Sequence, residues 1–288
     1  VPSAANHARA EDLLGWYAGV ARDLPWRRTR DPYRILVSEV MLQQTQVERV
    51  VPHYEAFIAR FPDAAQLAAA PLADVLTAWS GLGYNRRAVA LQRAAAVVAE
   101  RGWPRDAAGL EALPGVGPYT AAAVASFAFG DPVAAVDTNI RRVIERWDRR
   151  RRPAGALQRR AQRLLEQAGD GHQAAWNQAL MELGATVCKA RIADCGACPV
   201  ASGCRSQGRA FAPRPQPGSV RKPFEETDRY VRGRVVAALV DGAALSAGLE
   251  PARIDRSLAG LHRDGLVDVA PGGGWRLPGA GSAGRHLR

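Results

Sequence analysis

Two carboxylates and four thiols are the groups in this sequence with most chemistry to offer. Glu39 lies in RILVSEVMLQQ, among Ile35, Leu36, Val40, Met41 and Leu42. A carboxylate whose neighbours one turn away are apolar loses solvation, so its pKa rises and it can hold a proton near neutrality. The same stretch also suits a Glu that faces solvent or pairs with an Arg. Asp137 stands directly before TNIRRVIERW, a place where Asp ordinarily serves as N-cap. Upstream, LPGVGPYTAAAVASFAFG sets Gly115 and Gly117 around a tight turn, with Val116 between them. Pro118 then takes the first helical position and Gly130 follows the last. A Gly-x-Gly turn feeding a helix N-terminus exposes amides to an anion, because first-turn N–H groups have no internal acceptor. Residues 113–139 therefore offer a phosphate cradle and a placed carboxylate.

The four cysteines, Cys188, Cys195, Cys198 and Cys204, are spaced C-x6-C-x2-C-x5-C. An intracellular chain does not crowd cysteines this way for disulfides, so the loop reads as a metal centre, either zinc or a [4Fe–4S] cluster. Pro199 directly after the third Cys, and the lack of paired C-x2-C knuckles, favour the cluster. A metal that only pins the loop fits the same pattern.

The elements that must position these groups are helical almost throughout. Apolar periodicity and caps predict helices over 8–21 (Leu13, Leu14, Tyr17 and Val20 on one face), from Pro32 behind an Asp31 cap, and over 47–60, 71–79 and 86–100. Others follow after Asp137 and over 156–168 and 174–187. Gly81-Leu82-Gly83-Tyr84-Asn85 is a glycine turn with an aromatic at its tip, and 149–152 reads as a solvated basic loop. Beyond the Pro/Arg/Gly linker 212–223, DRYVRGRVVAALVDG and PARIDRSLAGLHRDGLV predict two helices, and VDVA, GGG and WRLP a small β-hairpin. Helix, helix and wing suggest a winged-helix-like module that lays Arg253, Arg256, His262 and Arg263 against DNA; a helical packing tail is the plainer reading.

Composition sets the outer bounds. The chain has 288 residues, 47% hydrophobic and 23% charged, enough for one large domain or two to three small ones. Its formal net charge is +11, and every Lys or Arg except Lys189 and Lys222 is arginine. Such a balance points to a polyanion or an anionic surface as partner, unless it is compositional bias. No basic-then-apolar leader and no membrane-length apolar run is seen, so the expectation is a soluble, cytoplasmic, nucleoid-associated protein with no membrane partner.

Several motifs agree in order and spacing with one family. LPGVGPYTA, the cysteine loop, SEVMLQQTQV, GLGY and WNQALMELGA together resemble the helix-hairpin-helix (HhH-GPD) DNA glycosylases that carry an iron–sulfur cluster, and within them the MutY-like adenine glycosylase branch. The resemblance covers roughly residues 13–204. It implies an all-α fold of two helical lobes: a six-helix barrel domain over 29–136 with the hairpin at 113–119, and a cluster domain made from 1–28 and 137–211. The linker 212–223 and a winged-helix-like module over 224–288 would follow, and the DNA would lie between the lobes.

The resemblance also implies roles. Gly115, Val116 and Gly117 would hold DNA phosphates, while Gln44 and Tyr84 wedge into the duplex. Glu39 would protonate the departing base and then activate water, and Asp137 would stabilise the cationic sugar or bond to it transiently. Tyr119 and Asn139 would orient that pair; Leu24, Trp26, Arg27 and Gln178 would surround the extruded purine. A base must leave the stack to be cut, and an oxocarbenium-like sugar wants an acid on one side and an anion near the anomeric carbon. In bifunctional relatives such as endonuclease III the position of Tyr119 is a Lys, which forms a Schiff base; tyrosine cannot. The implied enzyme is a monomer that acts on double-stranded DNA with a mispaired base and leaves an abasic site without strand cleavage, most simply by removing adenine opposite 8-oxoguanine or guanine. Removal of thymine or uracil opposite guanine is the alternative, and a non-enzymatic iron–sulfur DNA-binding protein a third. MutY proteins usually continue into a Nudix-like domain that recognises 8-oxoguanine, for which about seventy residues after the linker are too few. The family's Asp-Gly-Asn is here Asp137-Thr138-Asn139.

Overall fold

The computed structural model describes residues 4–211, 223–241, 245, 248–270 and 273–279; nearly all of the linker lies outside them. Thirteen α-helices and one two-stranded hairpin are formed among the described residues, and none of the helices is long and apolar enough to cross a membrane. The chain divides into two compact units, Val1–Glu39 with Trp103–Gln216, and Val40–Gly102 with Pro217–Arg288.

The first unit contains α1 (Ala4–Val20), a 3-10 turn (Pro25–Arg27), most of α2 (Pro32–Leu42), α7 (Ala107–Glu111), α8 (Pro118–Val124), α9 (Thr138–Trp147), α10 (Ala154–Glu166) and α11 (Gln173–Thr186). Helix α9 shows why the sequence folds this way. The Asp137 carboxylate accepts the Ile140 amide at 2.6 Å, and Ile140, Val143, Ile144 and Trp147 recur at the helical spacing and are buried. Each such side chain contributes about 1.5–3 kcal/mol of burial, and here they pack with Leu13, Leu157, Leu164, Trp176, Leu180 and Leu183. Gly184 lets α9 and α11 approach: a Cβ there would lie 2.6 Å from the Asn139 Cβ.

The hairpin is α7, a turn and α8. Asp106 caps α7 through the Gly109 amide at 2.7 Å, and Gly115 takes φ 74°, which only glycine adopts without strain. The expected single helix after Pro118 is in fact two conformations. The α-helical pattern ends at Val124, and Ala125–Phe129 widens into a π-helical turn. Helix α11 fastens this turn: Asn177, buried, donates to Ser126 Oγ and to the Val133 carbonyl, both at 2.9 Å, and accepts the Ala135 amide at 3.1 Å. Gln158 and Gln162 satisfy Ala134 and Pro132, so the extended backbone leading to Asp137 is held by side-chain amides in place of a sheet. The basic loop 149–152 also departs from expectation, since Arg152 is largely buried in a 2.8 Å ion pair with Asp148, which Arg160 shares at 2.9 Å.

The second unit holds the end of α2, α3 (Val47–Arg60), α4 (Ala64–Ala69), α5 (Leu72–Ala78), α6 (Arg86–Arg101), α12 (Asp228–Asp241), α13 (Pro251–Arg263) and the antiparallel pair β1 (Asp268–Val269) and β2 (Trp275–Arg276). Phe57, Leu67, Val75, Leu76, Trp79 and Leu91 are among its buried side chains. In the C-terminal part, Arg253 donates to the Glu225 and Thr227 carbonyls, both at 3.1 Å. The His262 ring contacts the Val267 carbonyl at 2.9 Å and packs edge-on against Trp275. These two groups thus brace the module itself, whereas Arg256 and Arg263 are exposed.

Candidate active site

Glu39 is 6% exposed in a helix where every residue from Ile35 to Met41 is buried, so the open choice between solvent and desolvation is decided for desolvation. Burial pushes its pKa up to about 7; the Tyr119 hydroxyl bonded to it pulls the other way, Asp137 raises it further and Arg27 lowers it. The Tyr119 phenol is itself held well above its ordinary value by burial and by the two carboxylates. Its hydroxyl also lies 3.9 Å from Met181 Sδ.

Asp137 faces the same centre from the N-terminus of α9. Burial lifts its pKa too, but more donors oppose the rise: the Ile140 amide, Asn139 Nδ2 at 2.7 Å from Oδ2, and the charge of Arg142. Arg142 in turn donates to Asn139 Oδ1 at 2.7 Å, to the Gly184 carbonyl at 2.6 Å and to the Cys188 carbonyl at 2.8 Å. The two carboxyl groups therefore sit in unequal environments. One has a single hydroxyl partner in an apolar helix; the other is wrapped in donors at a helix N-terminus, where negative charge is favoured. Unequal environments of this kind are what would let one carboxyl group act as an acid and the other as an anion.

Next to this pair lies a second network. Arg27 donates to Glu182 Oε2 at 2.7 Å and Arg22 to Oε1 at 2.6 Å. Burial works to raise the Glu182 pKa, yet the two guanidiniums hold it below the ordinary carboxylate range. Tyr17 places its ring 5.6 Å under the Arg27 guanidinium and donates to Gln178 Oε1 at 2.6 Å. Gln178, Met181 and Glu182 share one face of α11 at i, i+3 and i+4. Leu24, which precedes the 3-10 turn as its N-cap, and Trp26 within the turn are both buried.

The structure thus joins Glu39, Tyr119, Asp137 and Asn139 in one cluster, and Arg27 with Gln178 in its neighbour. Gln44 and Tyr84 belong to the second unit, where they meet each other: the Tyr84 hydroxyl donates to Gln44 Oε1. Both take left-handed backbone angles, φ 58° and 50°, costly for residues with a Cβ. Tyr17, Arg22, Arg142 and Glu182 were missed in the sequence. Glu182 carried the same signature as Glu39, a carboxylate flanked by Leu180, Met181 and Leu183; Arg142 showed only as a helix-face arginine.

Cys188, Cys195, Cys198 and Cys204 line a cavity of about 360 Å³ together with Arg146 and Arg191. Burial pushes the Cys198 thiol up to about 11 and raises Cys204, and neighbouring thiols add to both. Arg146 donates to Cys188 Sγ at 3.4 Å. Among the described residues no three of His, Cys, Asp or Glu converge where a single metal ion could sit.

Against known proteins, residues 37–167 match the HhH-GPD superfamily of base excision DNA repair proteins. Over 287 residues the chain is 43% identical to an adenine DNA glycosylase of Mycolicibacterium smegmatis, covering 95% of this chain and 97% of that protein. The chain belongs to the adenine DNA glycosylase family. Among solved structures, a thermostable thymine-DNA glycosylase superposes with a TM-score of 0.65 at 31% identity, over 72% of this chain and 99% of that one. An endonuclease III trapped as a covalent intermediate with DNA superposes with a TM-score of 0.59 at 25% identity, over 69% of this chain and 93% of that one. The chain is accordingly a predominantly helical base excision enzyme that hydrolyses N-glycosyl bonds.

Proposed function

We propose that this chain removes adenine from a mispair in double-stranded DNA, opposite 8-oxoguanine or guanine, and leaves the sugar–phosphate strand intact. The observation that carries the reading is the pairing of Glu39, poised near neutrality with Tyr119 on its carboxyl group, with donor-wrapped Asp137. Glu39 gives its proton to a ring nitrogen of the base as the glycosidic bond breaks. The electrons leave with the base, and the sugar becomes cationic. Asp137, with the Ile140 amide and Asn139 donating to its carboxylate beside the Arg142 guanidinium, stabilises that cation. The Glu39 carboxylate then takes a proton from the attacking water. Tyr119 offers no amine at this position, so base removal is not followed by Schiff-base strand cleavage.

Arg27, Gln178, Leu24 and Trp26 form the purine site, with Glu182 holding Arg27 and Tyr17 holding Gln178. The hairpin residues Gly115, Val116 and Gly117 take a DNA phosphate, and Gln44 with Tyr84 forms the wedge. Supporting the phosphate role, Gly117 has an ordinary φ of −91° and open space where a Cβ would be, so the fold itself does not require glycine there. Close approach of a DNA strand does.

The residues also fit a [4Fe–4S] cluster. Four thiols that line one cavity are the donor set such a cluster takes. Cys188, Cys195, Cys198 and Cys204 would hold it, and when bound it ties four points of the loop together beside Arg142, whose acceptors include the Cys188 carbonyl.

The likeness to a thymine-DNA glycosylase favours a second reading, removal of thymine or uracil opposite guanine. Duplexes holding A:8-oxoG, A:G, T:G and U:G, incubated with the purified protein and split with and without alkali, decide between them. Alkali-dependent breaks at the adenine strands are expected. Breaks confined to T:G and U:G would establish the second reading, and breaks without alkali would end the monofunctional claim.

A further inference from the structure

We propose that the C-terminal module supplies Arg229 to the Tyr84 wedge as a DNA-contacting residue; this rests on the reading of Gln44 and Tyr84 as the wedge. Two guanidiniums flank the exposed Tyr84 ring. Arg87 lies 5.3 Å from its centroid and Arg229, in the first turn of α12, lies 4.5 Å away. They differ in how their donors are used. Arg87 donates to the carbonyls of Val40 at 2.8 Å, Met41 at 3.1 Å and Gln43 at 2.5 Å on one side, and to those of Leu82 and Gly83, both at 3.1 Å, on the other. It clamps the Gln44 and Tyr84 turns to each other, and its fork is spent on protein. Arg229 donates to the Tyr84 hydroxyl and lies over the Tyr84 and Phe224 rings, the latter at 5.4 Å. Ring faces and one phenol oxygen use few of its five N–H donors.

Its location is set by docking of the module and not by a flexible side chain alone. Asp264, at the end of α13, takes Arg232 of α12 and lies 3.8 Å from Arg86 at the start of α6. The Pro278 carbonyl accepts the Ala73 amide of α5 at 3.1 Å. The module is thereby fixed against the two helices that bracket the Tyr84 turn. A planar cation stacked on an aromatic that enters the duplex is carried to the unstacked step, where phosphate oxygens and purine O6/N7 edges are the acceptors an arginine fork fits. Arg229 bonds to one of these, and its contact with the Tyr84 hydroxyl is the resting arrangement.

The test uses the full chain and a duplex with a non-hydrolysable 2′-fluoro-adenosine opposite 8-oxoguanine, G or C. Arg229→Ala should weaken binding about 5- to 100-fold, the span of one phosphate or base-edge contact, with the melting temperature unchanged and part of the loss recovered in Arg229→Lys. A loss equal on all three duplexes, with the slope of log affinity against log salt reduced by about 1, identifies a backbone phosphate. A loss that depends on the opposite base identifies a base edge. Parental affinity and slope for Arg229→Ala on every duplex, with Tyr84→Ala impaired, would overturn the inference and leave the wedge standing. Parental behaviour of both variants would overturn the wedge reading as well.

Discussion

At the scale of single residues, the account turns on the proton of Glu39. Its folded pKa, pushed by burial to about 7, lies above the ordinary value of 4.5, so the folded state binds this proton more tightly than the unfolded chain. Stability from this group is therefore fully present below pH 4.5 and is lost as pH rises through about 7. Glu39→Gln removes that dependence: it should match the parent's stability at pH 4 and exceed it at pH 8, by a margin on the order of 1–3 kcal/mol. Equal melting at pH 8 would mean the carboxylate is not desolvated. The Tyr119 hydroxyl favours the ionised form of Glu39. Tyr119→Phe should then move the alkaline limb of the base-release rate to higher pH, and an unmoved limb would reduce Tyr119 to packing. The apolar setting of Glu39 and the capping place of Asp137 were legible in sequence. The Arg22–Glu182–Arg27 network was not, because its partners are 155 and 160 residues apart along the chain.

At the scale of elements, helix existence was readable because caps and the 3.6-residue apolar period agree locally, as in α3 and α6. The π-helical turn was not readable. Ala125–Phe129 has no composition of its own, and its shape depends on Asn177 reaching in from α11. The hairpin gives a prediction that separates fold from function. Gly117 is the N-cap of α8 at an ordinary φ with nothing near its absent Cβ. Gly117→Ala should change stability by no more than about 1 kcal/mol, yet weaken binding to every duplex alike. Unaltered DNA affinity would remove the phosphate role from the hairpin.

For the molecule as a whole, the net charge of +11 and the ordered series of motifs made the family legible, while the boundaries of the compact units were not. The break after Glu39 falls inside α2, where no change of composition marks it, since contacts across distant segments define it. The cysteine cavity adds a prediction at this scale. Anaerobically purified protein should be brown and absorb near about 400 nm, and Cys198→Ser should bleach it and lower its melting temperature. A colourless protein with one bound zinc would exclude the cluster. The central claim is that a buried acid and a donor-wrapped anion together cut the bond between base and sugar, and Asp137→Asn tests it most directly. Asn caps helices about as well as Asp, so this variant should keep the fold of α9 while losing the charge. Single-turnover adenine release from an A:8-oxoG duplex should fall by about 100-fold or more, with melting temperature and DNA binding near those of the parent. Release at the parental rate would show that Asp137 is a helix cap and nothing else, and the account of the site would be wrong.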